Sequence, residues 1–265
     1  GKKSAKLSTP VVKAEAPDED EEVRKLIGGE ATKYQALVAR GIYLSQDRSD
    51  IGFAVKELSR GMARPKEEHR NALKRFARYL VGRERDVKTF KYQKRPAGLE
   101  IWTDTDYTGC KRTRKSTSGG VVMHGNHAIK TGSSTQAVIA LSSGEAEYYG
   151  MVKGGSMGLG VRATLEDLGM SRGIMIKTDA SAAKGIATKR GLGKVRNIEV
   201  NQLWLQGKVS NGEIRVDKVA GDKNIEDALT KAVDGNKIGE HVRRTGGVFE
   251  AGRHELAPEV GDEGE

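Results

Sequence analysis

The chain has one cysteine in 265 residues, and that scarcity excludes several classes at once. Cys110 alone cannot form a disulfide framework and suits a reducing compartment, cytoplasmic or nuclear. With five scattered histidines, none at metal-ligand spacing, it also argues against a structural zinc site. Long apolar runs are missing too. None approaches the roughly 18 residues of a membrane span, and no signal-peptide apolar core is present, so no membrane partner is expected. Aromatics are sparse at 5%, beside 36% hydrophobic and 31% charged residues, a globular composition on the polar side. Acidic charge is in deficit. The net charge of +10 favours a polyanionic partner, because Lys and Arg that neutralise phosphates release condensed counterions. A basic surface kept for solubility explains the charge alone equally well.

The length allows one large domain or two modest ones. Residues 1–29 read as a disordered tail. Lys2, Lys3 and Lys6, then Pro10, Pro17 and the acidic run Asp18–Glu22, offer too few apolar side chains to offset the entropy of ordering. Residues 236–265 are expected to be a second disordered tail, Gly-, Glu- and Asp-rich toward Pro258. Residues 30–95 read as helical. Ser49 or Asp50 can cap a helix carrying Ile51, Val55, Leu58 and Met62 on one face. Pro65 opens the next helix, with Ala72, Phe76 and Leu80 as its apolar face and Gly82 at its end. Arg70, Lys74 and Arg78 make a basic stripe at i, i+4 and i+8, either a solvated face or a phosphate-facing one.

Over 96–235 the pattern changes. Strands are predicted at 98–105, 117–124, 127–133, 173–179 and 213–220, and helices at 143–168, 180–190, 198–210 and 224–233. Three successive strands followed by alternating helices and strands imply an α/β domain, a mixed sheet covered by helices.

Four acids occupy telling positions in it. Asp104 and Asp179 end two β-branched strands, and Glu147 and Asp227 lie in helical patterns. On parallel neighbouring strands the two aspartates would meet at the carboxyl end of the sheet. Glu145 and Glu147 point about 200° apart on a helix, so one alone can face the sheet rim; Glu147 is preferred, because Met151 continues its face. Converging carboxylates cannot all stay ionised without a divalent cation. That points to metal-assisted phosphodiester chemistry with two ions about 4 Å apart. Singly, each acid has a plainer reading, as a turn residue or a helix-dipole partner.

The surrounding strings narrow the choice. Asp47-Arg-Ser-Asp-Ile-Gly-Phe-Ala-Val55, His69 through Leu80, Asp104-Thr-Asp-Tyr-Thr-Gly109 and Arg114-Lys-Ser-Thr-Ser-Gly119 come first. Ala140-Leu-Ser-Ser-Gly-Glu-Ala-Glu-Tyr148, Thr178-Asp-Ala-Ser-Ala-Ala183 and Asn224-Ile-Glu-Asp-Ala-Leu-Thr-Lys-Ala232 follow. Together, residues 33–233 resemble the C-terminal region of copia-type LTR retrotransposon Pol polyproteins. The resemblance implies a ribonuclease H-like fold, a five-stranded mixed sheet with helices on both faces, over 96–235. A small helical segment like the thumb or connection of a reverse transcriptase would precede it over 30–95. It implies Mg²⁺-dependent cleavage of the RNA strand of RNA–DNA hybrids by two Mg²⁺ ions, with Mn²⁺ as a substitute. Asp104 would bridge both ions, and Glu147, Asp179 and Asp227 would complete the coordination. Partners would be the hybrid and the rest of the Pol polyprotein, its polymerase palm included. Hybrid would be read through 2′-hydroxyls and groove shape. Arg114, Lys115, Ser116, Thr117, Ser118, Ser133, Ser134 and Gln136 supply suitable groups near the first strands, and Arg70, Lys74 and Arg78 a basic face.

Some positions depart from that pattern. No Asp-Asp pair occurs, so this stretch carries no polymerase active site. Thr131-Gly132 stands where the family often has tryptophan, Asn197 where it often has histidine, and the loop Gly221–Asn224 lacks a histidine. Gly150, Gly154, Gly155, Gly158 and Gly160 fall in the helix after Glu147, at about 1 kcal/mol each relative to alanine unless close packing on the sheet recovers it. A catalytically decayed nucleic-acid-binding remnant, with Glu147 misplaced by that helix, is therefore the alternative. A transposase or integrase fits less well, given four acids in this order and no zinc module.

Overall fold

The computed structural model describes residues 6–12, 24–191, 198–221 and 226–257. In chain order, three helices come first: α1 (Gly29–Leu44), α2 (Gly52–Ser59) and α3 (Glu67–Gly82), then the strand β1 (Arg85–Lys88). The strands β2 (Gly98–Asp106), β3 (Thr117–His124) and β4 (His127–Thr135) lead to the long helix α4 (Ser143–Asp167). After it come β5 (Gly173–Thr178), α5 (Ser181–Ala187), α6 (Trp204–Ser210) and β6 (Ile214–Lys218). The short α7 (Asp227–Thr230), α8 (Gly235–Arg244) and β7 (Gly247–Glu250) close the chain.

The first three helices share a core of Tyr34, Val38, Ile51, Val55, Leu58, Leu73 and Phe76. Two local expectations shift here for one reason. Ser49 and Asp50 do not cap a helix; they form a 3-10 turn with Ile51, and Asp50 is buried. Its carboxylate accepts from Arg48 Nε at 2.9 Å, from Arg48 Nη2 at 2.7 Å and from the Tyr79 hydroxyl at 2.7 Å. Because Tyr79 must reach Asp50, α3 buries Leu73, Phe76 and Tyr79, while Ala72 is exposed. Residues 85–88, expected to be helical, are the strand β1.

Both expected tails are partly ordered. Leu26 is buried beneath the helices and Lys25 bridges to Lys66. Pro10 is buried, Val11 packs on the same core, and Thr9 Oγ1 accepts from Arg75 Nη2 at 2.8 Å. At the other end, Asp234 Oδ1 accepts from the Asn236 and Lys237 N–H groups, so α8 starts on a capped end and buries Ile238, His241 and Val242. β7 then pairs antiparallel with β1. Composition could not show this, because the pairing joins Arg85 to Glu250, 165 positions apart, and the Phe249 ring packs under Arg48 and Arg83.

The five predicted strands of the second region all form, in the order β4-β3-β2-β5-β6. β2, β3 and β4 are antiparallel, and β5 and β6 run parallel to β2. Helices cover both faces of this mixed α/β sheet. α4, α5 and α6 pack with Leu99, Ile101, Ile174 and Ile176 in one core, and α7 brings Leu229 against Val121, Met123 and Trp102 on the other face. The region 198–210, expected as one helix, is a 3-10 turn at Val200–Gln202 followed by α6.

The glycines of α4 explain how that helix lies so close to the sheet. A Cβ on Gly154 would stand 2.4 Å from Thr103 Cγ2, and one on Gly150 would meet Thr105 Oγ1 at the same distance. Gly158 is pressed against Ile101 in the same way. The stripe at i, i+4 and i+8 is a flat track on which β2 rests, so the intrinsic cost of glycine is offset by contact area.

Candidate metal centre

β2 and β5 are parallel neighbours paired from Gly98↔Gly173 to Trp102↔Lys177, so Asp104 and Asp179 emerge at the same end of the sheet. Glu147 joins them from the first turns of α4. That helix begins where Ser142 Oγ accepts from the Glu145 N–H at 3.1 Å, and Ser142 is its N-cap. The two glutamates separate as the helical angle demands. Glu145 is buried, accepting from the Leu141 N–H at 3.1 Å and the Tyr149 hydroxyl at 3.0 Å, which fixes the start of the helix. Glu147 points to the rim. Each of Asp104, Glu147 and Asp179 offers an oxygen within 4.8 Å of the other two.

A second close approach completes the surroundings of Asp104. Its register partner across β3 is Gly119, where a Cβ would meet Thr230 Cγ2 at 2.7 Å. With no side chain there, α7 sits directly on the strand, and the Thr230 hydroxyl donates to Asp104 Oδ2 at 2.6 Å.

The electrostatics are those of crowded acids. Burial pushes the Asp104 carboxyl up, against the Thr230 hydrogen bond and Lys231, and the Asp227 and Asp179 charges add to the rise. Burial, then the Asp104 and Asp179 charges, push Glu147 up to about 8. Glu147 Oε2 is buried and has no hydrogen-bond partner among the described residues. An orphaned carboxylate oxygen beside two further carboxylates fits a hard divalent cation bound through oxygen.

Asp227 stands apart from this triad. The first residue of α7, it pairs with Lys231 at 2.5 Å and Lys237 at 3.5 Å, and 37% of its side chain is exposed. Burial works against the Lys231 ammonium, but the hydrogen bond and charge of Asp227, with Asp104, outweigh it and raise its pKa. Thr230 and Lys231 were not singled out from sequence. The signal was their spacing, three and four residues after Asp227, one helical turn away.

The expected nucleic-acid contacts divide. Ser116, Thr117, Ser118 and Gln136, expected as substrate-facing groups, are buried and hydrogen-bonded inside the protein. Ser116 Oγ accepts from the Thr108 N–H, Thr117 Oγ1 from Lys56 Nζ, and Ser118 Oγ from Gln136 Nε2, which also donates to the Ala146 carbonyl. They tie β3 to α2 and α4. Ser133 and Ser134 line a cleft of about 450 Å³ between α2 and β4, with Lys56 and Arg60 also on its wall. Arg114 is exposed at φ 55°, and Lys115 Nζ donates to the Ala137 carbonyl. Arg70 is held by Glu30 and Glu67, whereas Lys74 and Arg78 are exposed without an ion pair among the described residues. In Thr131-Gly132, where a tryptophan was expected, a Cβ on Gly132 would stand 3.2 Å from Sδ and Cε of Met157 in α4, a tight contact with the end of a flexible side chain. Asn197 and residues 222–224 lie outside the described residues.

No family model matches the chain. Its sequence is similar to the retrovirus-related Pol polyprotein from transposon RE1 of Arabidopsis thaliana, 32% identical over 203 residues, covering 76% of this chain and 14% of that protein. It is also 31% identical over 193 residues to the one from transposon TNT 1-94 of Nicotiana tabacum, covering 72% and 14%. The chain thus spans about a seventh of the length of these relatives. Among solved structures, LC11-RNase H1, isolated from compost, covers 51% of this chain and 93% of its own at 15% identity and a TM-score of 0.36. Among the described residues no helix is long and apolar enough to cross a membrane. Over three quarters of its length, then, the chain is a relative of the Pol polyproteins of copia-type retrotransposons, with an α/β fold built on a five-stranded mixed sheet.

Proposed function

We propose that the chain is a divalent-metal-dependent endoribonuclease cleaving the RNA strand of RNA–DNA hybrids, a piece of a retrotransposon polyprotein without the polymerase active site. The observation that carries this reading is the triad of Asp104, Glu147 and Asp179, with its orphaned Glu147 oxygen. Those three would hold Mg²⁺, and Asp227, outside the triad and paired with Lys231 and Lys237, would have to exchange those partners to contribute to a second ion. Bound Mg²⁺ supplies Lewis acidity at the scissile phosphate and favours ionisation of the attacking water. The protein's own part is positional. Thr230 orients Asp104, the glycine track of α4 sets the depth of Glu147, and Glu145 anchors the start of that helix.

Single-turnover cleavage of a labelled hybrid by the purified chain, with Mg²⁺ and with EDTA, tests the reading. RNA-strand cuts that require Mg²⁺ and vanish in Asp104→Asn are expected. Salt-dependent binding without any cutting would instead select the decayed, binding-only remnant.

A further inference from the structure

At the end of the sheet opposite the carboxylates lies a second surface with different chemistry. Residues 89–97, which lead from β1 to β2, have no regular structure but are pinned to the β3–β4 turn. Gln93 Nε2 donates to the His124 carbonyl at 2.8 Å, Gln93 Oε1 accepts from the Asn126 N–H at 2.9 Å, and His127 Nε2 lies 2.8 Å from the Lys91 carbonyl. The segment is therefore a fixed rim. It turns two aromatic rings to solvent: Tyr92 is 98% exposed and Phe90 64%, the latter leaning on the His127 ring at 5.2 Å. Rings so uncovered in a chain with few aromatics are poorly explained by packing.

The charge around them has one sign. Lys91, Lys94 and Arg95 are exposed, and no carboxylate pairs with any of them or with Arg172 among the described residues. The charges felt by His124 come from Arg172, His127 and Arg95, all lowering its pKa after burial does. Elsewhere basic side chains are commonly neutralised, as Arg70 is by Glu30 and Glu67.

We propose that this rim binds single-stranded nucleic acid, with Tyr92 and Phe90 as base-stacking platforms and Lys91, Lys94 and Arg95 against the phosphates. Stacking needs an unpaired base, and a cationic surface with free rings offers no edge for sequence readout, so the site is tolerant of sequence. It lies beyond the start of β2, and Gly98 is itself about 20 Å from Asp104, six residues along that strand. It stands whether or not the carboxylates cut anything.

Fluorescence anisotropy of the full chain with labelled RNA and DNA single strands of about a dozen nucleotides, in EDTA, tests it. Binding of either strand supports the proposal, and the two arms show which sugar is preferred. Tyr92→Ala should weaken it about five- to a hundredfold, with Tyr92→Phe within about twofold of the parent. Lys94→Gln and Arg95→Gln should each reduce the salt slope by about 0.7. Absence of binding, an unchanged Tyr92→Ala, or polyglutamate competing as well as oligonucleotide (an acidic-protein surface) would overturn it. A chain that binds single strands but leaves hybrids intact loses the nuclease reading alone, and the converse loses this one alone.

Discussion

Two glycine-to-alanine substitutions six residues apart in α4 should move stability in opposite directions. At Gly160 an added Cβ meets nothing within 4 Å and the position is exposed, so alanine should stabilise by up to about 1 kcal/mol through helix propensity. At Gly154 the same methyl would stand 2.4 Å from Thr103 Cγ2 and 3.1 Å from Ile101 Cγ2. Both side chains are fully buried in the central strand, and both methyls are on β-branched carbons that cannot swing away. Overpacking of that kind costs about 1–3 kcal/mol, against the same propensity gain of about 1 kcal/mol, so a net loss of up to about 2 kcal/mol is expected. Urea unfolding of the full chain reads both values. A second readout separates local strain from displacement. If α4 lifts, Glu147 is carried away from Asp104, and the rise in melting temperature on adding Mg²⁺ should shrink in Gly154→Ala and persist in Gly160→Ala. Equal stabilisation by both alanines would refute the idea that the glycine track sets the height of the helix.

Further outcomes follow from the same contacts. The unfolded Glu147 carboxyl ionises near 4.5 and the folded one near 8, so between these values the unfolded chain releases a proton that the folded chain keeps. Metal-free stability should therefore fall as pH rises from about 5 to 8, by up to about 5 kcal/mol, and level off above. Glu147→Gln or saturating Mg²⁺ should flatten that slope in chemical denaturation, and a slope unaffected by either would count against the site. Thr230→Val leaves Asp104 Oδ2 without its hydroxyl partner and should cost about 1–3 kcal/mol in urea unfolding, along with weaker Mg²⁺ binding by titration calorimetry. Asp50→Ala strands the buried Arg48 and the Tyr79 hydroxyl, and a loss of about 3–5 kcal/mol is expected; a loss under about 1 kcal/mol would show that the pair is solvated.

Much of the sheet was legible because its signals are local. The run Leu99–Thr105 alternates around a β-branched strand, and the Asp104 and Asp179 strands end in acids whose meeting needed only parallel pairing. Glu147 over Glu145 followed from the helical angle between them and from Met151, which continues the Glu147 face. The rest required distance in sequence to become distance in space. The clasp of β7 on β1 and the burial of Ile238 in α8 rest on contacts across most of the chain, while the local composition there resembles a tail. Hydroxyls at 116–118 look the same in sequence whether they face solvent or Gln136 and Lys56.

By itself the amino-acid order determined the α/β pattern and the kinship with retrotransposon polyproteins, and it offered four acids, Asp104, Glu147, Asp179 and Asp227, since periodicity, strand-end placement and local strings are properties of neighbouring residues. Only the tertiary structure decided that the five glycines after Glu147 in α4 are compatible with its place at the rim, that Thr230 holds Asp104, and that three of the four acids cluster while Asp227 pairs with two lysines. Those outcomes depend on which backbone passes within van der Waals reach of which side chain, and the long-range pairing of strands and helices sets that distance.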